Sequence, residues 1–418
     1  MKNLKVAILY ALLIVTLLVS INTYLTERSE NKFSKDLVEL SLVKYGLFNV
    51  DEWKAIVVGI LETKIYELRI TKENKNNVEA KVEDLLNSAI TDFEERFYKK
   101  KAGSISGLLQ GGVASLTGMF SQIKEDIPLF AKDISNFLEK EDNREEIKNY
   151  LTNKLEEYSN STFSDFDYTH RNKIISKYKQ NDLSSTLNYL NHKVDKQSRS
   201  NDYNTFALII IFLISTCFLI FENSNEHASM YPLIGICLTF LILGIALPMI
   251  ELDARIQDIS FTLLSYDIQF QNQVLFYQSK SILDVVTIMT VQGRIELILV
   301  GAAIFCFSVI FPLLKLLCSI LYIHKSKFRF NKFISFMVFK SGKWSMADVM
   351  VISIFMAFLG FNGVLSGQLQ QLENFSPLVD VFTTNKSQLM LGFYIFTLFV
   401  SLGLMLSWRI QRIPPIKT

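Results

Sequence analysis

The chain has 418 residues, with 43 lysines and arginines against 41 aspartates and glutamates, and this near balance excludes the basic excess that marks a nucleic-acid-binding surface. Half of the residues are hydrophobic while a fifth are charged, and the two classes separate into apolar blocks and one long polar region. The fold class this predicts is all-α: a polytopic helical membrane protein with about six transmembrane helices and a helical extracytoplasmic domain inserted after the first.

The first apolar block covers residues 6–24 behind Lys2 and Lys5. Its end gives only a weak small-residue cleavage pattern and it is long enough to span, so residues 1–24 are expected to form an uncleaved anchor. Residues 25–204 are polar and read as helical. Ile127, Phe130, Ile134 and Phe137 recur at three- and four-residue intervals, as do Ile147, Leu151, Leu155 and Tyr158, and again Leu183, Leu187, Leu190 and Val194. Asp142 followed by Glu145 resembles a capping box. Residues 52–68 and 78–97 are helix-compatible, with Trp53 as core material, and a region of this length can bury a core of its own. Gly103, Gly107 and Gly111 have the spacing of close helix contacts in lipid, but Ser and Gln interrupt the run and Lys99 to Lys101 precede it. A packed helical hairpin is the expectation there.

Beyond the insert, residues 205–230 supply one further span and a short link, and residues 231–410 carry four apolar blocks, at 231–250, 295–322, 345–364 and 388–407. The connection after the 295–322 block holds Lys325, Lys327, Arg329, Lys332, Lys340 and Lys343, and the tail at 411–418 holds Arg412 and Lys417. The positive-inside bias places both at the cytoplasmic face, with the termini inside and the insert outside. Phe328, Phe330, Phe333, Phe336 and Phe339 interleave with the cations, which fits either an interfacial segment at an anionic leaflet or a plain orientation signal.

Several chemistries are excluded. Cys217, Cys237, Cys306 and Cys318 all fall in apolar blocks without C-x-x-C spacing, and the four histidines have no second ligand at i+3 or i+4. Phosphate-binding glycine loops and nucleophile elbows are absent from the sequence. No cofactor, no metal site and no enzymatic activity are expected.

Two charges fall inside apolar blocks. Lys315, in Pro312-Leu313-Leu314-Lys315, lies roughly 10 Å from the cytoplasmic end of its block, and Asp348 lies roughly 6 Å inside the next, at about 1.5 Å per residue. A lysine stem can span that difference. Ser345 lies one turn before Asp348 on the same face. The residues leave three arrangements open: a static ion pair, a titrating relay coupled to transport, and two charges snorkelling independently.

The Pro312 block, the basic linker and the motif Gly342-Lys343-Trp344-Ser345-Met346-Ala347-Asp348-Val349 closely resemble the paraquat-inducible protein A family of membrane proteins, the PqiA and LetA types. Ser281-Ile282-Leu283 and Gly392-Phe393-Tyr394-Ile395-Phe396 also look like that family, and the resemblance covers about residues 232–410, one four-span module. It implies a bacterial inner-membrane component of phospholipid trafficking that acts with an exported tunnel protein of the mammalian-cell-entry (MCE) type. It also implies that Lys315, Ser345 and Asp348 belong to a polar network serving transport. Family members usually carry zinc-binding cysteine motifs and often two modules, and this sequence has neither. The alternative expectation is a membrane-tethered sensor or scaffold whose exported helices bind a partner.

Overall fold

The computed structural model describes residues 2–47, 49–67, 75–97, 123–138, 144–162, 167–221, 227–324, 331–340, 347–373 and 380–412. In chain order, α1 (Lys2–Leu40) is followed by α2 (Val50–Glu67), α3 (Lys75–Phe97), α4 (residues 123–138), α5 (Arg144–Thr162), α6 (Thr169–Lys177) and α7 (Leu183–Phe221). Next, α8 (Met230–Ala246) leads into a hairpin of β1 (Ile250–Leu263) and β2 (Tyr266–Lys280), then α9 (Ile282–Val291) and α10 (Ile295–His324). The remaining elements are α11 (Lys332–Ser335), α12 (Ala347–Glu373), β3 (Asp380–Asn385), β4 (Gln388–Leu389) and α13 (Leu391–Gln411).

Six of the described helices are long and apolar enough to cross a bilayer, namely α1, α7, α8, α10, α12 and α13, so the protein is a mostly helical, polytopic membrane protein as its composition predicts. α1 and α7 contain 39 residues each, about 58 Å of helix at 1.5 Å per residue. A hydrocarbon core takes up only about 30 Å, so both helices continue well past the bilayer. In α1 the apolar stretch ends at Leu25, and the polar continuation begins at Thr26 and Glu27.

Close backbone approach holds the membrane bundle together. A Cβ on Gly244 of α8 would sit 2.9 Å from the Phe396 backbone of α13, and one on Gly392 would sit 2.4 Å from the Leu247 carbonyl oxygen. Leu9, Leu208, Ile211, Phe240, Phe396 and Leu402 share one buried cluster, which joins α1, α7, α8 and α13. The helix starts and ends predicted to be cytoplasmic meet at one end of the bundle. Tyr231 contacts the His324 ring at 3.3 Å, and Lys5 lies beside Phe218 and Phe221. The insert and the strands occupy the opposite, distal end.

The sheet is an addition to the helical reading of the sequence. Residues 250–280 form an antiparallel hairpin, β3 pairs with β1 on its other edge, and β4 pairs with the base of β1. Leu264 and Ser265 turn the hairpin with φ of 50° and 69°. Two consecutive positive φ values are those of a type I′ turn, which is usually made with Asn-Gly, so the turn is hidden in this sequence.

The insert and the hairpin share a core. Trp53, Ile65, Ile127, Ile134 and Ile147 are buried in the same cluster as Ala254, Ile256, Ile259, Phe261, Ile268 and Phe270. Of the periodic positions predicted for α4 and α5, Ile127, Phe130, Ile134, Ile147, Leu151 and Leu155 are buried in this core and Phe137 packs against it, while the Tyr158 side chain lies outside the description. The Trp53 indole N–H donates to the Leu47 carbonyl at 2.7 Å, and its ring lies 5.7 Å from Phe261 and 5.3 Å from Phe270. A smaller cluster of Leu40, Ile174 and Leu190 packs α6 between the distal parts of α1 and α7. There the Tyr178 hydroxyl donates to Asp36 at 2.5 Å, and Lys177 forms an ion pair with the same carboxylate.

Candidate functional site at the distal membrane boundary

The residues singled out by the sequence fall around α10 to α12. Pro312 is buried and Lys315 is half-buried, about 14 Å along the helix from its end at His324. Just before Pro312 the helix widens into a π turn at Cys306–Ile310, where the Phe311 N–H donates to the Cys306 carbonyl five residues back. Proline has no N–H for the ordinary i→i−4 bond and its ring crowds that carbonyl, and the widened turn accommodates both effects. Lys343, Trp344, Ser345 and Met346 lie outside the described residues, as do Lys325, Lys327 and Arg329. Asp348 belongs to the first turn of α12, but its side chain is likewise outside the description, as is that of Lys340. The structure therefore leaves the three arrangements of Lys315 and Asp348 open.

The described part of the basic linker is amphipathic. Ile334, Met337 and Val338 are buried, the Phe339 ring meets Tyr322 of α10 edge-on at 5.1 Å, and Lys332 and Phe333 remain exposed. The passage containing Gly103, Gly107 and Gly111 lies outside the described residues. No group of three or more metal-ligating side chains occurs among those described.

A cavity beside the distal end of the spans was not anticipated from the sequence. It has a volume of about 390 Å³ and lies between the base of the hairpin and the distal third of α12. Ile250, Leu252, Phe276, Gln278 and Lys280 line one wall, and Phe361, Val364, Leu365 and Gln368 line the other. The strand register explains this composition. Ile250 pairs with Lys280, Leu252 with Gln278 and Ala254 with Phe276, so alternate residues of both strands project to one face. A register irregularity between Ala254 and Arg255 ends this alternation and turns the rest of the hairpin toward the insert.

The wall formed by α12 is supported mainly from β3. Asn385 donates to the Asn362 side chain and, at 3.0 Å, to the Ser366 hydroxyl, tying the loop strand to two successive turns of the helix within the stretch that lines the cavity. Elsewhere the helix is bare: Ile352, Met356, Leu359 and Val364 are all exposed, Val364 by 60%. In a membrane protein an apolar helix face of this kind faces acyl chains. The cavity is thus continuous with a lipid-facing surface at the level where the spans end. Lys280 makes no salt bridge among the described residues and places an ammonium at this wall, which apart from Gln278 is apolar. Such a setting takes a ligand with an apolar body and an anionic end.

Two signals could have revealed the cavity from the sequence. One is the alternation Ile250, Leu252, Ala254 immediately after a span, and the other is the run Val274-Leu275-Phe276 ahead of Lys280. Both are partly masked, because Glu251, Asp253 and Arg255 intervene and make the segment look like a polar loop.

No curated protein and no solved structure matches the chain. Residues 268–370, about a quarter of the chain, match a family model, and they run from β2 through α9, α10 and α11 to α12, taking in the α12 wall of the cavity and the β2 part of the other. The family whose model these residues match is paraquat-inducible protein A.

Proposed function

We propose that the protein is a non-enzymatic inner-membrane component of a bacterial lipid-trafficking system, in which the four-span module passes phospholipid toward the distal side and an MCE-type exported tunnel protein receives it. On this reading both termini are cytoplasmic and residues 25–204 lie in the periplasm. The observation that carries the proposal is the cavity between the hairpin and α12, which is apolar, opens beside a bare apolar helix at the distal boundary of the spans, and has Lys280 on its wall. A phospholipid combines an acyl chain with a phosphate, and these are the chemistries an apolar slot and an ammonium accept. Lys315, Ser345 and Asp348 then serve as a polar network nearer the basal end, where an ionisable group in an apolar span marks a path for polar cargo or protons.

The test is photo-crosslinking. A phospholipid with a diazirine on its acyl chain is incorporated into nanodiscs with the full chain, and adducts are mapped by mass spectrometry. Adducts concentrated on residues 274–280 and 361–368, and suppressed by Leu252→Trp, are expected. A uniform spread along α12 that Leu252→Trp leaves unchanged would refute the reading, and a Lys280→Ala variant reports whether the anionic headgroup contributes.

A further inference from the structure

The opposite face of the same hairpin base carries a different chemistry. Glu251 pairs with Ser279 and Asp253 with Tyr277, so these four side chains project away from the cavity. On this face Glu251 is near enough to the distal continuations of α1 and α7 to act electrostatically on Glu27, which is buried, and on Glu30, which is half-buried. Asn201 of α7 donates one amide hydrogen bond to Glu27 at 2.7 Å and another to Glu30 at 2.6 Å. Glu251 in turn accepts from the Tyr277 hydroxyl at 2.8 Å and from Gln388 of β4 at 3.2 Å.

We propose that Glu27, Glu30 and Glu251 form a shared proton-binding site, and that proton uptake there fastens the distal parts of α1 and α7 to the base of the hairpin. The proposal stands apart from the lipid reading. Its first support is a charge imbalance. The groups facing the three carboxylates are Asp202 on α7, Asp253, Arg255 and Tyr277 on the hairpin, and Gln388 on β4. Arg255, the one cation among them, is held by Asp253 through two bonds of 2.6 and 2.7 Å. Among the described residues no lysine or arginine forms a salt bridge with Glu27, Glu30 or Glu251. Like charges gathered at a site where one is buried and the others are half-buried raise one another's proton affinity.

The second support is unmet hydrogen-bonding capacity, an acceptor on Asn201 and a hydroxyl on Ser279. Asn201 is only 7% exposed; its amide nitrogen donates to the two glutamates, and its side-chain carbonyl oxygen has no partner. Ser279, 5% exposed and directly across from Glu251, has a hydroxyl without a partner. A buried acceptor left bare is costly, and a carboxyl that takes up a proton becomes the missing donor. A metal ion would need at least three ligating side chains in binding geometry, and the described residues show no such group.

The electrostatics agree. Glu27 lies beyond the apolar stretch of α1, and burial first, then Glu30 and Glu251, push its carboxyl up to about 8. Burial likewise raises Glu30 to about 7, against the opposing hydrogen bond from Asn201 and with Glu251 and Asp202 adding to the rise. For Glu251 burial outweighs the hydrogen bonds from Tyr277 and Gln388. Groups shifted upward bind protons more tightly when packed than when apart, so the fastening is complete in the ordinary carboxylate range and is lost as pH rises through about 7 to 8.

Infrared difference spectra of the full chain in nanodiscs, titrated from about pH 5.5 to about pH 9, test this directly. The expected result is a protonated-carboxyl band that survives at neutral pH and titrates away near pH 7 to 8. It should shrink in Glu27→Gln, with Glu251→Gln shifting the midpoint of what remains. Gln keeps the shape and hydrogen-bonding capacity of a neutral carboxyl, so folding is retained, and a thermal melt at low pH checks it. Absence of any carboxyl band at neutral pH overturns the proposal, and so does a band that Glu27→Gln and Glu30→Gln both leave intact. Amide exchange reports the fastening itself: protection of residues 26–40 should fall with pH in the wild type and become pH-independent in Glu27→Gln. PH-independent protection in the wild type removes the fastening role.

Discussion

Trp53→Ala tests whether the insert and the hairpin are one folding unit. Trp53 is 1% exposed, stacks on Phe261 at 5.7 Å, meets Phe270 at 5.3 Å and donates to the Leu47 carbonyl. Truncating a buried Trp to Ala costs about 3–5 kcal/mol, and the ring contacts and the hydrogen bond are contained in that figure. At about 1.4 kcal/mol per tenfold, the open population of this core rises on the order of 100- to 4,000-fold. Phe261 and Phe270 belong to the hairpin while Trp53 belongs to α2, so the loss is shared between them. Hydrogen-exchange mass spectrometry in nanodiscs should show α2, α5 and residues 259–270 losing protection together, with α8 and α13 unaffected. Loss confined to α2, with the hairpin tip still protected, would refute the common core and leave the insert as a separate domain resting on a self-sufficient sheet.

Gly244→Ala places a methyl 2.9 Å from the Phe396 backbone, and because neither helix can retreat without unpacking the other, a loss of about 1–3 kcal/mol or more is expected in detergent-melting assays. Gly360→Ala, where a Cβ meets nothing, is the neutral control. Raising pH from about 5 through about 8 should lower thermal stability, since Glu27 is held up to about 8 against an ordinary 4.5. The ceiling is about 5 kcal/mol for such a coupled group, and Glu27→Gln should flatten the curve. Asp348→Asn should abolish lipid transfer at normal protein abundance if the aspartate titrates during transport. Retained transfer would leave it a structural partner of Lys315 or a solvated charge.

The helical part of this fold was legible because membrane helices satisfy their own backbone and write their length into hydropathy; all six spans follow from apolar runs. The insert was legible in its local periodicity, since Ile127, Ile134, Ile147 and Leu151 bury as their spacing requires. The sheet was not. Its turn uses Leu264 and Ser265 at positive φ where a glycine would have announced it, and β3 draws its partners from more than a hundred residues away in sequence. The site divides in the same manner. Lys315 and Asp348 stood out because a charge in an apolar run is locally anomalous. Glu27, Glu30 and Glu251 did not, because each sits in an ordinary polar stretch, and only the crossing of three distant segments makes them a cluster.

The hairpin base links the two sites through the simplest property of a strand. Between residues 250 and 254 successive side chains alternate between the cavity and the carboxylates, so Leu252 cannot move relative to α12 without moving Glu251 and Asp253 relative to α1 and α7. A slip of one residue would exchange the faces, driving Glu251 into the apolar wall and Leu252 among the glutamates, and both halves of that exchange are unfavourable. Register is therefore fixed from both sides, and the motion left to the segment is that of a rigid hairpin between two packing surfaces. A proton that tightens its contact with α1 and α7 also sets its distance from α12. Deprotonation in Glu27-containing protein should therefore change acyl-chain crosslinking at residues 274–280, and in Glu27→Gln crosslinking should cease to depend on pH. Crosslinking that stays pH-dependent in Glu27→Gln, with the same midpoint, would show that the two faces are not coupled through this hairpin.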